Sequence, residues 1–336
     1  MMSHAPSSRW LRRAFRTLLA IGVVLGSASA IAQPQGRPYR IAVLNNAWVS
    51  GNPPVLGLRA GIKAQGLEDG RDVSFDVRST GGSEKTAAAL AAALARENPD
   101  VIVAVGESET KAAKAAAPNI PLVFIQVADP VAVGLVASVA RPGGNVTGVA
   151  NLFAELVPKR LELAKELVPN LRRVLVVYDA QDTASAAGAR KAQETAPRLK
   201  LNLIVREVRT QEEAVRELKT ASARDVLLAP AAMNLSIVEL MLNLNLYGVA
   251  PAIFASAFWV QAGGAASYGA DYYAEGVQAA QLVAKILRGA RPADLPVEGV
   301  NKLELALNRR ILTAFGVTIP PPLAARADRV FEGIGE

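Results

Sequence analysis

The chain has 336 residues, no cysteine and one histidine, His4. Without a thiolate or an interior imidazole it lacks the side chains of a Ser-His-Asp triad, a cysteine nucleophile and the usual zinc site, so binding is expected rather than catalysis, with no cofactor or metal. Its 37 basic and 30 acidic residues give a formal +7, but four arginines lie in the first 16 residues and no basic cluster follows, so nucleic acid is not an expected partner.

Those arginines, Arg9, Arg12, Arg13 and Arg16, form a positive stretch before the short apolar run from Leu18 to Leu25, and small residues follow at Ala28, Ala30 and Ala32. The pattern predicts a cleavable export leader over 1–32, cut after Ala32 or alternatively Ala30. Export by the general secretory route is expected. Arg12-Arg13 resembles a twin-arginine signal, from which Leu11 and Arg16 depart. The apolar run is too short to span a bilayer, so no permanent membrane span is expected. With no cysteine there is no lipid attachment site, and a free periplasmic monomer is the expectation.

Beyond the leader, short β-branched runs alternate with segments of helical period. Strands are predicted at 40–44, 73–77, 101–105, 122–125 and 146–149, with helices at 55–65, 84–97, 109–117 and 130–140. The rhythm then repeats: strands at 174–178, 201–205, 226–229 and 252–255, with helices at 183–195, 212–221 and 237–247. Asp100-Val-Ile-Val is echoed by Asp225-Val-Leu-Leu, and Pro121-Leu-Val-Phe by Pro251-Ala-Ile-Phe. This predicts an α/β protein of two Rossmann-like, doubly wound parallel-sheet domains joined by a hinge. The expected lobes are 37–150 with 267–294, and 151–266 with 295–336. Crossings are expected near 148–152, 262–266 and 292–296, with a helix over 272–287 returning to the first lobe. Ligands of such sheets sit beyond the carboxyl ends of the strands.

Asp129-Pro-Val131, Gly134-Leu-Val136, the run from Ala140 to Gly148, Ser267-Tyr-Gly-Ala-Asp271, Ile286-Leu-Arg-Gly289, the run from Pro292 to Glu298, the run from Gly316 to Pro321 and Ala325-Arg-Ala-Asp328 occur in order along the chain. Together they resemble the ABC transporter substrate-binding family that includes tryptophan and tyrosine uptake proteins. The resemblance implies a type I periplasmic-binding-protein fold and capture of a small-molecule ligand for an ABC permease with its ATPase. A periplasmic sensing subunit serving a signalling receptor is the alternative.

The strand-end loops supply the candidate ligand contacts. Asn45 and Asn46 follow the first strand with amides for hydrogen bonding, and Trp48 is either a stacking platform or core. Glu107 and Ser108 open a helix. Ser108 is a candidate for a ligand carboxylate and Glu107 for an amine, against an ordinary helix start. Gln126 and Asp129 follow the fourth strand, where Asp129 before Pro130 also suits a helix cap. In the second half Tyr178 and Asp179 end one strand, Ala231 follows another, and Ser256 and Phe258 follow a third. The resemblance brings Tyr268 and Asp271 near the cleft, with helix capping the other role for Asp271. Ala231 and Phe258 are more apolar than the resemblance implies, which points to an aromatic or branched apolar portion in the ligand. The pairs Glu162 with Glu166 and Glu212 with Lys219 read as solvated helix faces.

Overall fold

In the computed structural model the described residues are 37–46, 52–168, 170–231 and 235–335. The expected leader and Trp48 lie outside them. The first half runs β1 (Tyr39–Asn45), α1 (Pro53–Ala64), β2 (Val73–Ser79), α2 (Glu84–Glu97), β3 (Val101–Val105), α3 (Glu107–Ala116), β4 (Leu122–Val127) and β5 (Val146–Ala150). Then follow α4 (Val157–Leu167), β6 (Arg173–Asp179), α5 (Thr183–Leu199), β7 (Leu203–Val208), α6 (Gln211–Leu218), β8 (Asp225–Leu228), α7 (Leu235–Leu246), β9 (Ala252–Phe254), α8 (Ala257–Gln261) and β10 (Ala266–Ala270). The chain ends with α9 (Tyr272–Leu287), β11 (Glu298–Gly299), β12 (Leu303–Asn308), α10 (Arg309–Ala314), α11 (Pro321–Arg326) and β13 (Arg329–Phe331).

Among the described residues the strands form two sheets, of order β11-β5-β4-β3-β1-β2 and β13-β12-β10-β9-β8-β6-β7. All pairings in the first are parallel. In the second only β10 with β12 is antiparallel. Every residue of β3 is buried, as a parallel strand covered on both faces requires, and that is why it reads as an unbroken apolar run. The echoed aspartates do equivalent work. Asp100 Oδ2 accepts from the Arg40 backbone N–H at 2.7 Å at the start of β1, and Asp225 pairs with Arg173 at 3.0 Å at the start of β6.

One expectation is corrected. Residues 130–140 form successive turns rather than a helix: Gly134 takes φ +72°, the Leu135 and Val136 N–H groups both return to the Pro130 carbonyl, and those two side chains plug the first core. Strand pairing also shows where the chain changes sheet. β10 pairs with β9 and β12, so residues 266–270 belong to the second sheet. β11 pairs with β5, so residues 298–299 belong to the first. The changes of sheet fall at Asp271 and at 300–302, later than 267 and 295.

These crossings lie side by side. Asn151 N–H donates to the Val127 carbonyl at 2.9 Å, Val300 N–H to Ala150 at 3.0 Å, and Asp271 N–H to Lys302 at 3.1 Å. From there α9 runs back over the first sheet against α1. The two helices approach so closely that a Cβ on Gly276 would lie 2.0 Å from the Pro54 carbonyl oxygen, and one on Gly57 1.9 Å from that of Tyr273. Among the described residues no helix is long and apolar enough to cross a membrane.

Candidate functional site

The carboxyl ends of the strands in both sheets carry most of the candidate residues, because each βα turn exposes its first helical residues there. At the end of β1, Asn45 is fully buried and its Oδ1 accepts from Asn52 Nδ2 at 2.8 Å. After β3 the chain turns through Gly106 at φ +110°. The positive φ favours glycine, and a Cβ there would lie 2.5 Å from Glu109 Oε2 and 3.0 Å from Asn46 Nδ2, displacing both side-chain ends.

Glu109 is a residue that the sequence reading missed. It is 2% exposed and accepts from Thr80 Oγ1 at 2.5 Å. Burial pushes its carboxyl up, while Thr80 and its own backbone N–H pull it down. Ser108 Oγ lies 3.5 Å from Glu84 Oε1, and Glu107 Oε1 accepts from Lys111 Nζ at 2.5 Å. The chain's own carboxylates thus gather at the start of α3, which favours a cationic over an anionic ligand group nearby.

The two sheets meet here. Thr183 Oγ1 on α5 donates to Glu107 Oε2 at 3.4 Å. Asp182, the α5 cap, holds the Ala184 and Ser185 N–H groups. Its carboxyl is pushed up by burial, with Glu107 adding to the effect. Ala184, next to Thr183, packs with Ala128 and Val300 on a buried apolar floor of Phe153, Ala231, Ala255, Ala270 and Tyr272.

The remaining candidates separate by partner. Gln126 is half-buried and takes φ +62°, where the β4–β5 register slips between Ile125 and Val127. Asp129 accepts from Val131 and Ala132 N–H at 3.2 and 2.9 Å, as a turn cap. Tyr178 donates its hydroxyl to Glu207 on β7 at 3.0 Å, and Asp179 accepts from Gln181 N–H at 2.8 Å. Ser256 caps α8 through Phe258 N–H at 3.3 Å, while Phe258 is exposed and meets Trp259 edge-on at 5.2 Å. Tyr268 sits opposite Leu305 in mid-strand and packs on the core formed with α4, α10 and α11, away from the strand ends. Asp271 caps α9 through Ala274 N–H at 3.0 Å and pairs with Lys302 at 2.7 Å. Burial raises its pKa, but the Lys302 and Ala274 contacts outweigh it and hold the carboxyl below the ordinary range.

Two further buried groups border the floor. Arg160 on α4 is fully buried; its guanidinium donates to the carbonyls of Ala229 at 2.8 Å and of Phe153, tying the first crossing to the loop after β8. Desolvation lowers its pKa to about 10. Glu275, on the first turn of α9, is also fully buried, and Asn151 Nδ2 donates to its Oε1 at 2.5 Å. The signal for Glu275 was its position: it follows Tyr272 by three residues and precedes Ala279 by four, on the apolar face of the helix. Arg160 had no comparable signal, because an arginine in an amphipathic helix reads as surface. Among the described residues no cluster of three or more metal-ligating side chains occurs.

The family model for ABC transporter substrate binding proteins matches residues 50–331. A solved Vibrio cholerae protein described as a conserved domain protein is 30% identical, with a TM-score of 0.77 over 88% of this chain and 100% of its own. The ABC domain in complex with L-Trp from Streptococcus pneumonia is 24% identical, with a TM-score of 0.78 and the same coverage. The tyrosine-binding protein of Clostridioides difficile strain R20291 is 27% identical over 263 residues, 77% of this chain and 75% of that protein. The two-sheet architecture is the type I periplasmic-binding-protein fold. This chain belongs to the ABC transporter substrate-binding protein family.

Proposed function

We propose that this chain is the exported solute-binding component of an ABC importer, and that it captures an amino-acid-like, aromatic solute between its two sheets by hinge closure. The observation that carries the reading is the meeting of two like sets of strand ends at the Glu107–Thr183 contact, with the neighbouring Ala184 packed on a buried apolar floor drawn from both sides. An apolar floor with a few polar groups at its rim suits a ligand having one greasy and one charged end. Relatives whose names record L-Trp and tyrosine support an amino acid of that kind.

In this reading Asn46, Glu107, Ser108 and Gln126 face the solute's polar end, while Ala231 and Phe258 face its apolar end. The first lobe comprises 37–150 with 271–299, and the second 151–270 with 300–336. Residues 1–32 direct export to the periplasm, where the protein works as a monomer and its closed face engages a permease and its ATPase. A ligand that contacts both lobes shifts the population towards the closed form by no more than its differential affinity for the two forms.

A thermal-shift titration checks this directly. L-tyrosine or L-tryptophan at 100 times its dissociation constant adds about 2.7 kcal/mol of stability, and melting rises accordingly. Stabilisation by glucose or sulfate alone, with neither amino acid effective, contradicts the proposal.

A further inference from the structure

Among the described residues around the strand ends, the carboxylates other than Glu275 lie against a cation or hydrogen-bond donors, and none keeps a buried oxygen without a partner. Glu107 pairs with Lys111, Asp271 with Lys302, and Glu109 accepts from Thr80. Asp129, Asp179 and Asp182 are held by N–H groups of their own turns. Glu275 has no cation against it among the described residues. Its Oε1 takes the Asn151 amide, but no close hydrogen bond reaches its Oε2 or Asn151 Oδ1, and Tyr272, three residues back on the same helix, likewise leaves its hydroxyl without one. All three residues are at least nine-tenths buried.

A buried acceptor left unmade is expensive; the Tyr272 hydroxyl can donate, but once the Glu275 carboxyl is ionised its Oε2 and Asn151 Oδ1 are two acceptors without a close donor. The group that answers such a surplus is small, cationic and rich in N–H donors. Gln126 points the same way. Its left-handed backbone is unfavourable for a residue with a Cβ, and it brings the carboxamide next to Glu275 at the end of β4.

We propose that Glu275, flanked by Asn151 and Gln126, holds the cationic nitrogen of the captured solute, a primary ammonium. This rests on the reading of the cleft as an amino-acid site. The ammonium reaches Glu275 when the crossing segments part, since in this structure the carboxyl is sealed beneath them.

The charged surroundings are few. Asp271 and Tyr272 belong to the same helix, Arg160 approaches from α4 on the far side of Tyr272, and Lys302 and Glu304 come from the start of β12. β3, β4 and β5 contribute no charged side chain, and α1 meets α9 through Gly57 and Gly61. Burial drives the Glu275 carboxyl up to about 8, with Asn151 and Gln126 countering and Asp271 reinforcing. It therefore carries a proton at pH 7. When an ammonium arrives, the carboxylate forms against it and that proton passes to the buffer.

Calorimetric titration at pH 7 in phosphate and in Tris counts the proton. The probes are L-tyrosine, L-tryptophan and their deaminated counterparts 3-(4-hydroxyphenyl)propionate and indole-3-propionate. Wild-type protein is expected to release on the order of one proton per amino acid bound, to release none with the deaminated acids, and to prefer the amino acids by roughly 10- to 100-fold. Glu275→Gln, which keeps the shape of the neutral acid, loses both the release and the preference. Amino-acid binding without proton release, or a preference unchanged in Glu275→Gln, overturns the inference and leaves the reading of the cleft standing. Failure of every probe to bind wild-type protein overturns that reading and this inference with it. If the variant does not fold, the wild-type proton count decides.

Discussion

Burying a carboxyl without a cation makes stability depend on pH in the sense opposite to acid denaturation. Burial pushes the Glu275 carboxyl up to about 8 in the folded chain, against about 4.3 when unfolded. Between those values the folded state keeps a proton that the unfolded state has lost, so stability falls as pH rises through the window and levels off above it. Glu304, pushed up to about 7 by burial and by Asp271, acts in the same direction. Urea denaturation is therefore expected to give a protein less stable at pH 8.5 than at pH 5.5 by on the order of 3 kcal/mol, with Glu275→Gln removing most of the difference. A flat or rising profile contradicts this account of Glu275. Individual residues were unevenly legible in the sequence. Asp271 caps its helix as one reading of the sequence allowed, Asp129 caps a turn where a helix was expected, and Tyr268 lies in mid-strand because the strand continues to Ala270 and the chain turns only at Asp271.

At the scale of elements, the α1–α9 contact fixes the start of α9, and with it Asp271, Tyr272 and Glu275, against the first sheet. Glycines make the approach possible. Gly276→Ala places a methyl carbon against the Pro54 carbonyl, which cannot yield without moving α1, and overpacking of this kind costs about 1–3 kcal/mol. The expected outcome is a lower melting temperature, whereas Gly289→Ala, with open space around its Cβ, meets only the strain of its positive φ. Equal melting of wild type and Gly276→Ala contradicts the packing argument. The predicted helices that carry an apolar stripe and a clear start formed as expected; α2, for example, begins at Ser83, which accepts from Thr86 N–H, and stops at a left-handed Asn98 before Pro99. Residues 130–140 showed the same apolar spacing, yet tertiary packing of Leu135 and Val136 and the positive φ of Gly134 broke them into turns. β12 escaped notice because an antiparallel partner arriving late in the chain leaves no rhythm to extend.

For the whole molecule, the doubling was legible because each half repeats the same sheet order around an aspartate-anchored central pair. The points where the chain changes sheet were less so. They depend on which strand β10 and β11 pair with, a matter of long-range register that composition does not encode. The proposed function is mechanical: two lobes close on a solute. Because the chain has no cysteine, a single pair of introduced thiols reports on it cleanly. Spin labels at Lys85→Cys on α2 and Arg190→Cys on α5, both at exposed positions, give a distance across the proposed cleft by pulsed electron paramagnetic resonance. The account predicts a distribution that shifts to shorter distance and narrows when L-tyrosine or L-tryptophan saturates the site. The same distribution with and without a bound amino acid would contradict it.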